Sequence, residues 1–525
     1  MFVDARMIPQ ATVIETEVCI IGAGAAGITL ARDFAAAAVR TILLEGGGMA
    51  FEPESQELYA GSEIGRPCLD PGISRLRFFG GTTNHWAGWC RPLDPIDFSE
   101  RDGFPHHGWP FSRADLDPWY RRAHPVCQIG KYDYDPAAWG IAVEKIPAPF
   151  NGPAFATKVL QVSPPTRFGT TYEAELRAAP DLAVYLHANA VEFITDASGN
   201  AVNTVSVATL AGGRFAVRAR IFVLATGAIE NARLLLHSRS PAPGRNANGL
   251  GNAYDLVGRF FMTHLEFLSG MIAVSDPHAD FDFNYDFNLT TDGRRPFVSF
   301  VAPSESRMQA LRLQNMRITW EYHLAPVTQT LAASRRLLGG GGDRVLTDLG
   351  TVIRDLDGLA ALTLRKLIFG QGMPVQALTL RCHAEQRPNP DSRITLGPER
   401  DPLGMPRIVL DWRLDAADRH SVDATHRLLG AEVGRTGFGR LRYDLAEDAG
   451  GWPDDMLGNA HSMGTTRMHR DPRRGVVDEN CRVHGLSNLY VAGSSVFPTS
   501  GAANPTLTIV ALALRLADHV RSLLR

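Results

Sequence analysis

The chain has 525 residues and a formal net charge of −3, from 53 basic and 56 acidic side chains. This balance excludes a general electrostatic attraction to nucleic acid or to anionic membranes, so no nucleic-acid partner is expected. Hydrophobic residues make up 45% and charged residues 21%, which is typical of a globular protein, and the length favours two large domains.

No stretch of the sequence reaches the roughly 20 apolar residues of a membrane span. The N-terminal segment has no apolar export-signal region, so a cytoplasmic location is expected, while export bound to a signal-bearing partner subunit stays open. The six cysteines form no C-x-x-C pair, and we therefore expect no metal site and no iron–sulfur cluster.

The chain opens with the elements of a nucleotide-binding unit. An apolar run at 16–21 predicts a buried strand, the alanine-rich stretch 25–38 predicts a helix after a glycine-rich turn, and 39–44 predicts a second strand that ends at Glu45. This order is typical of a dinucleotide-binding βαβ unit.

The next segment, 52–180, is rich in Gly, Pro, Trp and Asp and predicts loops and short helices that cover the cofactor. Later elements are predicted from apolar runs and periodicity: strands at 182–193, 204–210, 220–225, 297–301, 317–322 and 489–492, helices at 229–237 and 505–525, and a glycine-rich spacer at 339–342.

Residues 22–27 fit the pattern G-x-G-x-x-G between a strand and a helix. The turn requires Gly22, the backbone approaches a pyrophosphate at Gly24 and Ala25, and the helix packs on the strand at Gly27. Glu45 follows at the distance where a carboxylate accepts hydrogen bonds from ribose hydroxyls. The alternative is a structural turn and a surface glutamate.

The segment 79–88, FGGTTNHWAG, favours FAD over NAD. Its paired glycines let the backbone lie against a flat ring or a phosphate, while hydroxyl and amide groups supply convergent hydrogen bonds. The cofactor contacts predicted here and elsewhere are Gly80, Gly81, Thr82, Asn84, His85, Ala87, Val191, Ala225, Gly227, Gly493 and Thr506.

These motifs in this order resemble the glucose–methanol–choline (GMC) oxidoreductase family, and within it the pyranose oxidases and bacterial sugar dehydrogenases. The resemblance covers nearly the whole chain and implies FAD as cofactor. It also implies covalent attachment of FAD through His85, which precedes Trp86 as in pyranose oxidases. Asn84 stands where those enzymes have a small hydroxyl residue, so a histidine that only hydrogen-bonds near the flavin is an equal alternative.

The segments 460–468 and 501–506 carry the expected catalytic pair. Alcohol oxidation needs a group that takes the hydroxyl proton while the carbon loses hydride to flavin N5, and imidazole titrates near working pH. The resemblance implies His461 as the base and Asn504 as its hydrogen-bonding partner. His469 and His484 lie outside the motif and are interpreted as surface residues.

Segment 385–393 is similar to sugar-oxidising members, and its Gln386 is predicted to bind a sugar hydroxyl, with a polar turn as the equal alternative. The tryptophans of the loop region predict either a stacking wall for a pyranose ring or packing: Trp86, Trp89, Trp109, Trp119 and Trp139.

The sequence thus predicts an α/β fold, α+β overall. A Rossmann-like FAD-binding domain, 12–260 and 455–525, is interleaved with a β-sheet-containing substrate-binding domain, 261–454. The predicted function is FAD-dependent oxidation of a sugar, glycoside or polyol hydroxyl, with dioxygen, a quinone or a separate electron-transfer subunit as electron acceptor. The alternatives are a cyanohydrin-cleaving lyase of the same family, an oxidase or dehydrogenase of a non-sugar alcohol, and a non-catalytic flavoprotein, against which the retained His461 and Asn504 argue.

Overall fold

The computed structural model describes residues 1–68, 70–164, 166–239, 248–276, 287–289, 296–324, 375–443, 451–453 and 455–525. The glycine-rich spacer expected at 339–342 lies outside these residues. Within them the chain forms two large sheets and a small one, with helices packed on the first. The α/β expectation is confirmed.

The first sheet has eight strands among the described residues, and its central strands are parallel, apolar and buried. Its order is Phe2–Asp4, Leu182–Leu186, Thr41–Leu44, Val13–Ile21, Arg214–Leu224, Val202–Ala208 and Asn189–Thr195, with Leu489–Val491 also paired to Arg214–Leu224. The helix Ala25–Ala36 packs on Thr506–Leu524, which packs in turn on Arg113–Val126.

The register of this sheet brings the ends of four parallel strands to one edge. Ile21 lies beside Leu44 and beside Leu224, and Leu224 lies beside Val491. The loops that follow these strands therefore meet at the carboxyl edge, where open parallel sheets bind their ligands.

The second sheet has nine strands in the described part of the chain, and its pairs are antiparallel. Its order is Gly439–Tyr443, Leu265–Val274, Val375–Ala384, Met316–Leu324, Pro296–Pro303, Phe155–Val162 and Trp89–Cys90, with Leu457–Gly458 on Leu265–Val274 and Phe287–Leu289 on Pro296–Pro303.

A third sheet has the order Arg393–Arg400, Pro406–Asp411 and Gly61–Glu63. The other helices are Pro53–Gln56, Pro95–Phe98, Phe168–Ala178, Ala228–His237, Glu305–Leu311 and Ala416–Arg435, with short 3₁₀ turns at Ala5–Met7, Glu57–Tyr59, Gly81–Asn84, Pro136–Trp139, Val143–Lys145 and Ser494–Val496. No helix in the described ranges is both long and apolar enough to cross a bilayer.

Two elements differ from the sequence expectation. The predicted strand 182–193 is two strands, because the chain turns at His187, whose φ is +58°. Phe155–Val162 lies in the segment expected to be loops and short helices, yet it is an eight-residue strand of the second sheet. The domain boundaries stay a prediction.

Candidate active site

A cavity of about 520 Å³ runs from the carboxyl edge of the first sheet to the face of the second sheet. This volume is within the range of small-molecule sites. One end is lined by the glycine-rich loop and Glu45, and the other by His461, Asn504 and side chains of the second sheet. The cavity thus connects the predicted cofactor residues to the predicted catalytic pair.

The three glycines of the 22–27 loop have different environments. Gly22 has a φ of +102°, and a Cβ added to it would lie 2.6 Å from the carbonyl oxygen of Ala225. A Cβ on Gly27 would lie 1.8 Å from the carbonyl oxygen of Gly22, so helix and strand require glycine there. A Cβ on Gly24 would meet no protein atom within 4 Å. Gly24 therefore leaves room beside the N-terminus of helix Ala25–Ala36, where backbone N–H groups favour a phosphate.

Glu45 is buried and faces the cavity beside this loop. Its carboxylate accepts hydrogen bonds from the backbone N–H groups of Ala23 and Gly47, each at 3.0 Å. Burial raises the pKa of Glu45, and these two N–H groups act in the opposite direction. A carboxylate held in this way beside a phosphate-binding loop fits the ribose of a dinucleotide.

The other end of the cavity contains a chain of hydrogen-bonded polar side chains. Nε2 of His264 lies 2.9 Å from the carbonyl oxygen of Gly501, and Nδ1 of His264 lies 2.9 Å from Nδ1 of His461. Nε2 of His461 lies 3.2 Å from Nδ2 of Asn504. Arg317 donates from Nη1 to Oδ1 of Asn504 at 2.8 Å. His461 and Asn504, the predicted pair, are thus in contact. The chain of contacts continues to His264 on one side and to Arg317 on the other.

The second sheet presents a row of polar side chains to the same end of the cavity. Glu266 and Arg317 both lie opposite His383 on neighbouring strands, and Thr319 lies opposite Arg381 one pleat further on. His383 is 3% exposed, and within the described part of the chain neither of its ring nitrogens makes a hydrogen bond, although Nδ1 lies 3.7 Å from Glu266.

Burial and nearby cations keep the histidines of this site neutral. Burial, His264, His383 and then Arg317 lower the pKa of His461 well below its usual value. Burial and Arg317 lower the pKa of His264 to about 4, and the same two causes, with His264, lower the pKa of His383. Burial lowers the pKa of Arg317 to about 10, so it stays charged at neutral pH.

The three histidines also have the proximity of a metal site, since one nitrogen of each lies within 4.8 Å of the others. The Nδ1 atoms of His264 and His461 are 2.9 Å apart, however, which is a hydrogen-bond distance. Two nitrogens bound to one tetrahedral zinc at about 2.0–2.1 Å lie roughly 3.3 Å apart. The arrangement is that of hydrogen-bonded imidazoles.

Comparisons with known proteins agree with this architecture. Residues 388–513 match the family model described as GMC oxidoreductase. The chain is 27% identical over 570 residues to 6'''-hydroxyparomomycin C oxidase from Streptomyces lividus, with 96% of this chain and 91% of that protein covered.

The match to the family model identifies residues 388–513 as the C-terminal domain of a GMC oxidoreductase.

Other similarities agree with this identification. The chain is 25% identical over 501 residues to the fructose dehydrogenase large subunit of Gluconobacter japonicus, covering 87% of this chain and 82% of that protein. Its fold is similar to that of pyridoxine 4-oxidase from Mesorbium loti, with a TM-score of 0.58, 17% identity, and 97% and 99% of the two chains covered. The expectations of an FAD enzyme that acts on CH–OH groups are confirmed at the level of the family.

Most of the predicted site residues line the cavity of this GMC oxidoreductase. Those that do are His461, Asn504, Gly22, Gly24, Ala25, Glu45, Gly81, Thr82, His85, Ala87, Ala225, Gly227, Gly493 and Thr506. Trp86 and Trp89 also line it, whereas Trp109, Trp119 and Trp139 do not and instead donate hydrogen bonds to neighbouring residues. The roles of these residues remain predictions.

Four predicted cofactor residues lie behind the lining rather than in it. Gly27 packs the helix on the strand, and Gly80 adopts a φ of +97° beside Gly169. Asn84 donates to the carbonyl of Phe79 and closes the loop on itself. Val191 is buried within its strand. These positions shape the cavity through backbone and packing.

Gln386 is not at the substrate end, which corrects the expectation that it binds a sugar hydroxyl. Its side chain is fully buried, its oxygen accepts hydrogen bonds from Thr263 N and Trp412 Nε1, and its nitrogen donates to Arg413 O. Its backbone N–H donates to the hydroxyl of Ser500, and that hydroxyl donates to its backbone carbonyl oxygen. Gln386 therefore joins the segment before His264 to the loop before Asn504.

His469 and His484, expected from the sequence to be surface residues, are partly buried rather than freely exposed. Nε2 of His484 lies 2.8 Å from the carbonyl oxygen of His469, and neither histidine lines the cavity. His85 does line the cavity; its side chain is exposed, and desolvation by the surrounding protein and Arg167 lower its pKa. Sequence reasoning missed His264, His383 and Arg317, although alternation along the two β-strands could have placed His383 and Arg317 on one face.

Proposed function

We propose that this GMC oxidoreductase oxidises a hydroxyl group of a neutral sugar, glycoside or related polyol, with His461 as the general base. The observation that carries the proposal is the pair of His461 Nε2 and Asn504 Nδ2, 3.2 Å apart at the end of a cavity that begins at a dinucleotide-binding loop. Bound FAD supplies the acceptor for the hydride that leaves the substrate carbon.

His461 has the properties of a base at this site. Its ring lines the cavity, and its lowered pKa keeps it neutral at working pH, so a nitrogen lone pair is available to take the hydroxyl proton. Asn504 lies beside that nitrogen and donates a second hydrogen bond to the substrate oxygen as negative charge develops on it. Arg317, bonded to the amide oxygen, polarises Asn504 and strengthens this donor.

The charges around the site favour a neutral substrate over an aminoglycoside. The first relative is named for an aminoglycoside, hydroxyparomomycin C. In this chain the catalytic end is lined by two arginines, Arg317 and Arg381, and one carboxylate, Glu266. Arg317 is buried and, within the part of the chain that the structure describes, bonds to an amide rather than to a carboxylate. An ammonium group beside the reacting carbon would therefore face like charge at low dielectric.

A polyol needs more than one hydrogen-bonding partner to replace the water it loses on binding. His383 meets this need, because its ring nitrogens, which have no hydrogen-bond partner among the described residues, offer one donor and one acceptor to the cavity wall. Glu266 and Asn459, which are hydrogen-bonded to each other, line the wall nearby. We assign to His383 the role of binding a second hydroxyl of the substrate.

The test is anaerobic mixing of the yellow holoenzyme with neutral sugars, glycosides, aminoglycosides and simple alcohols. We expect bleaching of the flavin band by a neutral sugar or glycoside and weaker bleaching by aminoglycosides. The variant His461→Ala should retain FAD and lose roughly 10²-fold or more in reduction rate. His469→Ala, which removes a histidine outside the cavity, is the matched control.

Each outcome separates the alternatives. Bleaching by simple alcohols alone assigns a non-sugar alcohol, and a bound flavin that no compound in the panel bleaches favours the lyase. An unchanged reduction rate in His461→Ala rejects His461 as the base. Addition of air, a quinone or an electron-transfer subunit to the reduced enzyme then identifies the electron acceptor.

A further inference from the structure

His264 lies directly behind the proposed base, and its ring is completely buried. It packs against His383 with ring centroids 4.3 Å apart and contacts His461 through Nδ1 at 2.9 Å. Its other nitrogen is bound to the carbonyl of Gly501, whose own N–H donates to Glu385. His264 thus has a fixed orientation and two defined partners.

The polarity of the hydrogen-bond chain is determined at one end by Gly501. A carbonyl oxygen only accepts, so Nε2 of His264 carries a proton and donates it to that oxygen. With the pKa of His264 lowered to about 4, the ring is neutral and has no second proton. Nδ1 of His264 is therefore an acceptor, and the contact at 2.9 Å requires that Nδ1 of His461 donates.

The polarity is determined independently at the other end by Arg317. A guanidinium only donates, so the group of Asn504 that faces it is the amide oxygen, and the amide nitrogen faces His461. That nitrogen donates to Nε2 of His461 at 3.2 Å. The contacts with Gly501 and with Arg317 thus specify the same tautomer for His461, which carries its proton on Nδ1 and none on Nε2.

We propose that His264 is a positioning residue that holds the proton of His461 on Nδ1 and thereby keeps Nε2 unprotonated and facing the cavity. This inference rests on the proposed role of His461 as base. When Nε2 takes the substrate hydroxyl proton, His461 becomes an imidazolium whose Nδ1–H remains bonded to the neutral His264. His264 therefore selects which nitrogen reacts without contacting the substrate oxygen.

Two variants of nearly equal size test this role. His264→Asn places an amide oxygen where Nδ1 stands and retains an acceptor for His461, whereas His264→Leu has the same branched shape and no acceptor. Neither variant has the ring N–H that donates to Gly501, and at the position of Nδ1 only the asparagine variant has an acceptor for His461. We expect His264→Leu to reduce its flavin roughly 10- to 100-fold more slowly than wild type and His264→Asn to stay within about threefold.

A second measurement needs no substrate. In holoenzyme with ¹⁵N-labelled histidine rings, NMR shows which nitrogen of His461 carries the proton, and the resonance is identified by its loss in His461→Ala. We expect Nδ1–H in wild type and in His264→Asn, and loss of this preference in His264→Leu.

The outcomes distinguish this inference from the proposed function. Equal reduction rates in the Asn and Leu variants, or a wild-type His461 protonated at Nε2, overturn the role of His264. If no substrate bleaches the wild type, the NMR result still decides the tautomer. If His264→Leu fails to bind FAD, the NMR spectra of the wild type and of His264→Asn still show which nitrogen of His461 carries the proton.

Discussion

Replacing Arg317 by methionine should move the acid limb of the pH profile for flavin reduction to higher pH. His461 acts as a base only when neutral, and burial, the two neighbouring histidines and Arg317 lower its pKa. The wild-type enzyme therefore retains a neutral base below the pH at which an ordinary histidine becomes protonated. Without the cation, protonation begins at higher pH and activity is lost there.

The structure gives the size of this effect. Arg317 bonds to one side of the Asn504 amide at 2.8 Å, and His461 lies 3.2 Å from the other side. The cation is thus on the order of 8 Å from Nε2, where a unit charge at an effective dielectric constant of about 20 is worth about 2 kcal/mol. At roughly 1.36 kcal/mol per pH unit, we expect the limb to move upward by about 1.5 pH units. Arg317 is buried, so solvent screening reduces this little.

The assay is stopped-flow flavin reduction under anaerobic conditions across the acid range, with the visible spectrum as a check of FAD content. Arg317→Lys keeps a cation and is the control, whose limb should stay within a few tenths of a pH unit of wild type. The plateau rate falls in both variants because Asn504 loses a well-placed donor. A limb that is unchanged in Arg317→Met would refute the electrostatic reasoning.

Three other predictions concern binding, stability and cofactor attachment. Gly24→Ala should fold and bind FAD more weakly in a titration of apoprotein, whereas Gly27→Ala, with its Cβ 1.8 Å from a carbonyl oxygen, should yield little folded protein; equal yields and affinities would contradict this contrast. Gln386→Leu leaves two buried donors without acceptors and should lower the free energy of unfolding by about 2–4 kcal/mol in denaturant titrations; a higher KM with unchanged stability would instead restore its substrate role. Acid precipitation separates the two alternatives for His85: yellow colour that stays in the wild-type pellet and is released from His85→Ala shows a covalent bond, and a colourless wild-type pellet shows a histidine that only lies near the flavin.

The nucleotide-binding half could be predicted from sequence because its information is local. The 22–27 turn, the helix after it and Glu45 lie within one short stretch. Gly22 and Gly27 are required for steric reasons that the spacing in the sequence already indicates. The segment 155–162 was harder. Its buried positions, including Phe155, Val159 and Gln161, show a partial alternation, but the glycines and prolines around the segment obscure this pattern. The longer of its two pairing partners, Pro296–Pro303, lies more than a hundred residues away.

The catalytic end could be predicted only in part. His461 and Asn504 lie in matching motifs, but His264, His383 and Arg317 join them through sheet register and side-chain contacts that no spacing rule gives. The error at Gln386 has the same origin. From sequence alone, an amide side chain in a loop-like segment can equally well bind a ligand or link two buried segments. Only the tertiary contacts show which groups the amide contacts.

The strand Leu489–Val491 pairs with Arg214–Leu224, and the loop after it supplies Gly493 to the cavity. Hundreds of residues separate these partners, so the nucleotide site is assembled by contacts of very high sequence separation, which form slowly. During synthesis on the ribosome the site cannot close until residues near 490 to 506 have emerged. FAD can therefore stabilise this protein only once that segment has been synthesised, and the yield of holoenzyme in an expression host will depend on how long the preceding chain is protected from aggregation.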